Sequence, residues 1–176
     1  MATMILLPDA TGSASFHWIT VGVGISDPHE ALVNDNGSTS YVKCDNDTAY
    51  MVIEYADPSV AEADIASIES VRFLSSGKSS HRLNPAAVSV GYQVPSGNAA
   101  ESCSYDAHRT NYETINGTAR TTKDGTHDWD YAALESLEMI CIKTFAVEVY
   151  LSYLALEVTY TPAVSADNAT FFGTNF

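Results

Sequence analysis

Five histidines are the first residues to weigh as a base or a metal ligand: His17, His29, His81, His108 and His127. None is paired with another at metal-ligand spacing. No serine lies in a G-x-S-x-G elbow, so acyl chemistry of that type has no nucleophile to start from. Each His reads as a polar loop or edge residue. Acidic pairs come next, because glycoside hydrolysis needs two carboxyl groups about 5–9.5 Å apart across one cleft. The candidates are Glu148 with Glu157 on one strand, and Glu135 with Glu138 at the end of a short helix. In an unbroken strand Glu148 and Glu157 would face opposite sides, since side chains alternate. No compact carboxylate motif emerges on one strand face. No catalytic residue is assigned, and the chain reads as a non-enzyme.

Two turns, Asp35-Asn36-Gly37 and Asp45-Asn46-Asp47, offer the oxygen ligands that calcium prefers. The fuller spacing of an EF-hand loop is missing. Asx-rich turns use the same residues to bond their own backbone. No metal and no cofactor is expected. The three cysteines, Cys44, Cys103 and Cys141, are odd in number, widely spaced and form no C-x-x-C pair. They read as unlinked thiols in a chain that folds in a reducing cytoplasm. Residues 1–7 carry no basic segment and are too short for a secretory signal. The sequons at Asn36, Asn46, Asn116 and Asn168 are then chance products of a chain rich in Asn, Ser and Thr.

Charge excludes two classes of partner. Eight Lys and Arg face 22 Asp and Glu, a formal net charge of −14. Nucleic acid needs a basic footprint, and an anionic membrane surface attracts basic segments. Neither is expected as a partner. No apolar stretch approaches the ~20 residues of a membrane-spanning helix.

The elements that must position any site are mostly strands. Residues 145–160 form the most strand-like stretch, rich in β-branched and aromatic residues and free of Gly and Pro. Val147, Val149 and Leu151 share one parity. Leu154, Leu156, Val158 and Tyr160 share the other. Such a switch needs an extra residue or a tight turn near Ser152-Tyr153, because a one-residue slip turns every side chain over. The stretch is either one bulged strand or two strands folded there. Ala86–Val94 alternates cleanly, with Val88, Val90, Tyr92 and Val94 on one face.

Further strands are read at 17–21, 39–43, 49–55, 112–115, 118–122 and 138–143. One begins at 68 and closes at Ser75-Ser76-Gly77, and a weaker one covers 103–105. A helix is read from Trp129 to Leu137, capped by Asp128. Short helical turns are read at His29–Leu32 and within 60–66. Eight to ten short strands with one helix give an all-β class: a two-sheet antiparallel sandwich, jelly roll first and immunoglobulin-like second. The division is an N-terminal arm (1–16, edge strand as the alternative), a sandwich domain (17–162) and a C-terminal tail (163–176). Val88, Val90, Tyr92, Val149, Leu156 and Val158 should be buried.

Three stretches carry a resemblance. They are Asp35-Asn36-Gly37-Ser38-Thr39-Ser40-Tyr41-Val42, the Trp129–Ile142 segment of tryptophan, short helix and strand, and the closing Leu156-Glu157-Val158-Thr159-Tyr160. Their order resembles small jelly-roll structural proteins of tailed bacteriophage virions, such as head decoration (cement) and appendage proteins. The resemblance implies a virion structural protein assembled in the host cytoplasm and bound to a major capsid protein, and the apolar ends of the chain point to self-association as a trimer. It offers no catalytic residues. Apolar side chains at both ends would make the subunit contacts: Ile5, Leu6 and Leu7 in the arm, Phe171, Phe172 and Phe176 in the tail. Two other classes remain open. One is a carbohydrate-binding module, with Trp18, Trp129, Tyr105, Tyr112 and Tyr131 as candidate stacking residues. The other is a subunit of an extracellular filament.

Overall fold

A computed structural model describes residues 1–12, 17–34, 39–44, 49–79, 86–94, 97–105, 111–143 and 148–164. In strands Ala86–Val94 and Gly97–Tyr105 the side chains are described only at positions 91 and 92. Two antiparallel sheets face each other. In chain order the strands are β1 (Ala2–Leu6), β2 (Pro8–Thr11), β3 (Ile19–Val21), β4 (Tyr41–Cys44), β5 (Tyr50–Tyr55), β6 (Ile65–Ser79), β7 (Ala86–Val94), β8 (Gly97–Tyr105), β9 (Glu113–Asn116), β10 (Glu138–Lys143) and β11 (Val149–Pro162). Two five-residue helices, α1 (Pro28–Leu32) and α2 (Tyr131–Glu135), complete the elements used below.

The first sheet runs β3-β4-β11-β6-β9, with β1 also beside β11, and the second runs β2-β5-β10-β7-β8. From β4 onward, β4-β11-β6-β9 faces β5-β10-β7-β8. The ribbon β4–β5 pairs with β10–β11, and β6–β7 pairs with β8–β9. That wrapping is the jelly roll, the first of the two expected topologies.

β11 is central, paired with β6 along its length and with β4 and β1 on its other side. Leu151 lies opposite Gly77 and Tyr153 opposite Ser76, so Ser152 is an extra residue with no partner on β6. The bulge turns the parity over. Val149 and Leu151 before it, and Leu154, Leu156 and Val158 after it, all face the core. One bulged strand is therefore the correct version of the two. Tyr92 is fully buried, as expected. Val88 and Val90 have side chains outside the described residues. Met51, Ile53 and Tyr55 of β5 are buried together.

Several expectations are corrected. β6 does not close at Ser75-Ser76-Gly77. It runs to Ser79 because β11 and β9 pair with it on both sides, and Ser75, Ser76 and Ser79 are buried. Ladder pairing here overrides turn-like composition. The 118–122 segment gives only isolated bridges, Val71 with Arg120 and Thr122 with Asp128. β8 begins at Gly97, earlier than the expected 103. α2 is shorter than 129–137, and its cap is Asp130, whose carboxylate accepts the Ala133 N–H at 2.7 Å.

The domain division also changes. Residues 2–11 are not an extended arm. β1 is an edge strand of the first sheet, the alternative reading, and β2 is an edge strand of the second. Pro8 opens β2, where its missing N–H costs no ladder bond. Met4 and Leu6 fill the core while Ile5 and Leu7 face outward, at 42% and 36% exposure. Leu6, only 1% exposed, packs in the core of its own chain. Phe171, Phe172 and Phe176 lie outside the described residues.

Candidate binding surface

The carboxylate pair on the long strand is too far apart for one cleft. The bulge does bring Glu148 and Glu157 onto one face. They are nine residues apart along an extended chain, roughly 25–30 Å at about 3.3 Å per residue. That span is several times what a carboxylate pair needs. Each has its own cation: Glu148 lies 3.7 Å from Lys43, and Glu157 lies 2.7 Å from Arg72. Glu135 and Glu138 join Asp9, Glu54 and Asp57 around a shallow hollow of about 280 Å³. Glu138 stands directly opposite Glu54 in the ladder. Among the described residues, no group of three or more His, Cys, Asp or Glu is placed to hold a metal ion.

Among the described residues, the histidines are scattered. His81 and His108, like both Asx-rich turns, lie outside the described residues. His29 hydrogen-bonds Thr11, its backbone N–H donating to the hydroxyl at 3.2 Å. His127 forms a local pair that the sequence reading missed. Its ring nitrogen lies 2.7 Å from Asp124, which also accepts the backbone N–H groups of Thr126 and His127. Those backbone bonds, then the ring and the Thr126 hydroxyl, hold the Asp124 carboxyl far below the ordinary carboxylate range. Gly125 at φ +90° makes the tight turn that lets one carboxylate reach all of them. The signal was present as Asp-Gly-Thr-His, an Asx-turn pattern. Cys44 and Cys141 are fully buried thiols inside the sandwich, and the Cys103 side chain lies outside the described residues.

A second hollow, of about 450 Å³, lies between the edges of β2 and β3 and the start of α1, walled by Thr11, Gly12, Trp18, Thr20, Ser26 and Asp27. Glu30 braces this wall by accepting the Ser26 and Asp27 N–H groups at 2.8 and 3.1 Å.

The proposed stacking residues divide. Trp129 is core, 5% exposed, and its indole N–H donates to the Arg120 carbonyl at 2.9 Å. Tyr131 donates its hydroxyl to the Val60 carbonyl at 3.1 Å. Trp18 is half-buried against the core. The Tyr105 side chain lies outside the described residues. Tyr112 belongs to a larger group on the outer face of the first sheet. Tyr41 and Lys43 alternate on β4 with buried Val42 and Cys44, so they point outward. Tyr150 points outward between buried Val149 and Leu151, and Lys78 does so between Gly77 and Ser79.

Register then assembles the group. Tyr150 is opposite Lys43 on one side and Lys78 on the other. The Tyr41 and Tyr150 rings are 5.4 Å apart at 59°. The Lys78 ammonium sits 4.8 Å from the Tyr112 ring centre and 5.2 Å from that of Tyr150. Tyr41, Tyr150, Lys78 and Tyr112 thus form one half-exposed aromatic and cationic row across β4, β11, β6 and the start of β9.

No family model and no curated protein matches the chain. Two solved structures are similar to the chain at low identity. One is described as TmCBM61, a carbohydrate-binding module in complex with β-1,4-galactotriose. It has 4% identity and a TM-score of 0.40, covering 88% of this chain and 86% of that one. The other is the CBM1 module of BiXyn10A without ligand. It has 12% identity and a TM-score of 0.32, covering 88% of this chain and 99% of that one. Likeness this distant leaves function to be read from the chain's own surface.

Proposed function

We propose that this chain is a non-catalytic binding module for polysaccharides, with the outer face of the first sheet as its platform. The observation that carries the reading is the row Tyr41, Tyr150, Lys78 and Tyr112. Sugar rings present apolar C–H faces that pack on aromatic rings, and the Lys78 ammonium between two of those rings supplies a polar contact. Tyr41, Tyr150 and Lys78 stand on paired strands, and Tyr112 directly precedes β9, so the spacing of the first three is fixed before a ligand arrives. Affinity electrophoresis against a panel of soluble plant and microbial polysaccharides tests the reading. At least one polymer should retard the native chain, and Tyr150→Ala should abolish the retardation while the circular dichroism stays unchanged. A panel without retardation, or a retardation that Tyr150→Ala leaves intact, refutes it.

A role in a virion shell is the second reading, favoured by one observation. Among the described residues β1 has one strand neighbour, and Met1, Ile5 and Leu7 are exposed along it. An open edge with apolar side chains suits strand addition by a neighbouring subunit. Sedimentation of the intact chain and of the double variant Ile5→Lys, Leu7→Lys tests this. An oligomer, expected as a trimer, that the double variant dissolves supports the reading, and a monomer at every concentration removes it.

A further inference from the structure

Resting on the polysaccharide reading, we infer that the ligand class is an anionic polysaccharide, one whose carboxylates or sulfate esters meet the lysines beside Tyr150. The protein is short of cations, with eight Lys and Arg against 22 Asp and Glu. Most of the described cations have partners elsewhere. Arg72 is tied to Glu157, and Lys123 to Asp130. Lys143 is 1% exposed, and the Arg120 guanidinium lies 5.8 Å from the Tyr92 ring centre, beside the core. The other two, Lys43 and Lys78, are the ladder partners of one outward tyrosine.

Their local partners differ from those of the other cations. Lys78 has two ring faces and, among the described residues, no carboxylate partner. Lys43 has Glu148 at 3.7 Å, with both side chains about a third exposed, a contact that a stronger anion can displace. A lysine held between two rings has already lost part of its rotamer freedom, so a bound anion has less ordering left to impose. A neutral sugar gains little from that ammonium, while an acidic one gains a charged contact beside a stacking ring. The overall charge of −14 does not oppose this strongly. At physiological salt, exposed charges more than about 8 Å away are largely screened, so the groups nearest the ligand decide, the two lysines with Glu148 beside one of them.

Matched polymer pairs test the inference. Polygalacturonate is compared with its full methyl ester, and dextran sulfate with dextran. Each member of a pair has the same backbone, and only one is charged. The charged member of at least one pair should bind about tenfold tighter or more, the scale of a single charge-assisted contact. The pair that shows the preference tells carboxylate from sulfate. Lys78→Met should reduce the preference about tenfold and Lys78→Arg should keep it. Raising the salt should weaken the charged member alone. Equal binding within both pairs, or a preference that survives Lys78→Met, overturns the inference. If a neutral polymer of the panel binds through Tyr150 while neither charged polymer is preferred, the inference fails and the polysaccharide reading stands. If no polymer binds, both fail.

Discussion

The backbone N–H of Phe73 donates to the phenol oxygen of Tyr92 at 2.7 Å, across the space between the two sheets. Phe73 lies on β6 of the first sheet and Tyr92 on β7 of the second, and both are buried. Their rings are 6.4 Å apart, and Tyr92 in turn meets Trp129 edge-on at 6.4 Å. A side chain of one sheet thus satisfies a backbone donor of the other, inside the core. Tyr92→Phe keeps the ring and removes the acceptor. It should cost about 1–3 kcal/mol, the cost of leaving a buried donor unsatisfied, rather than the smaller net value of an average hydrogen bond. Urea unfolding with an unchanged m-value checks this. A loss under half a kcal/mol would mean that the Phe73 N–H finds another partner.

The start of α2 gives a sharper contrast. Asp130 accepts the Ala133 N–H and pairs with Lys123. The Lys123 bond, then the bond to the Ala133 N–H, lowers the Asp130 carboxyl pKa. Asp130→Ala should cost about 1 kcal/mol, as loss of an N-cap does. Asp128→Ala should cost less, because Asp128 is engaged through a backbone bridge to Thr122 that alanine preserves. Equal losses in the two variants would show that the cap is not where the energy lies.

Acid should act on the neighbouring turn through Asp124. Its carboxyl is held below the ordinary value of 3.8 by the backbone N–H of His127, then by the His127 ring and Thr126. A carboxyl whose folded pKa is depressed stabilises the fold above its unfolded pKa, and loses that contribution as pH falls through the folded one. The native chain should therefore lose stability from pH 3.8 downward, and Asp124→Asn should flatten that part of the slope. Urea midpoints at pH 7, 5 and 3 for both chains give the comparison. Parallel curves would remove Asp124 from the acid response.

Much of this architecture was legible, and the reasons are local. β7 and β10 were readable to the residue, the first because its apolar positions alternate between turn residues, the second because an apolar run rich in isoleucine follows directly on the helix. The face switch near Ser152 was readable because the parity of apolar residues changes there, but a bulge and a fold into two strands fit it equally, and pairing with β6 along the whole stretch decides for the bulge. The tail of β6 was not. Ser75-Ser76-Gly77 looks like a turn, and only pairing on both sides makes it strand. The tyrosine row was not legible for a different reason. Tyr41, Lys78, Tyr112 and Tyr150 are each more than 30 residues from the next. They meet through strand register, which no spacing along the chain expresses. The sequence reading places the N-cap at Asp128, two residues early, whereas Trp129 enters the core and Asp130 caps the helix.

Residues 1–7 supply the last prediction. β1 makes a five-residue ladder with β11, from Ala2 opposite Tyr160 to Leu6 opposite Leu156, and it buries Met4 and Leu6. Burial of each such side chain stabilises by about 1.5–3 kcal/mol. Removing residues 1–7 should then cost roughly 3–6 kcal/mol from these two side chains, before any ladder bonds are counted. It also uncovers the edge of β11 from Leu156 to Tyr160, an apolar strand prone to pair with another chain. The truncated chain should unfold at clearly lower urea and aggregate during expression. Leu6→Ala alone should cost about 2–5 kcal/mol, the range for a buried leucine. Ile5→Ala, 42% exposed on the opposite face, should cost far less. An N-terminal segment that served only to reach a neighbouring subunit would behave otherwise. Its removal would leave the urea midpoint of the isolated chain unchanged and alter assembly alone.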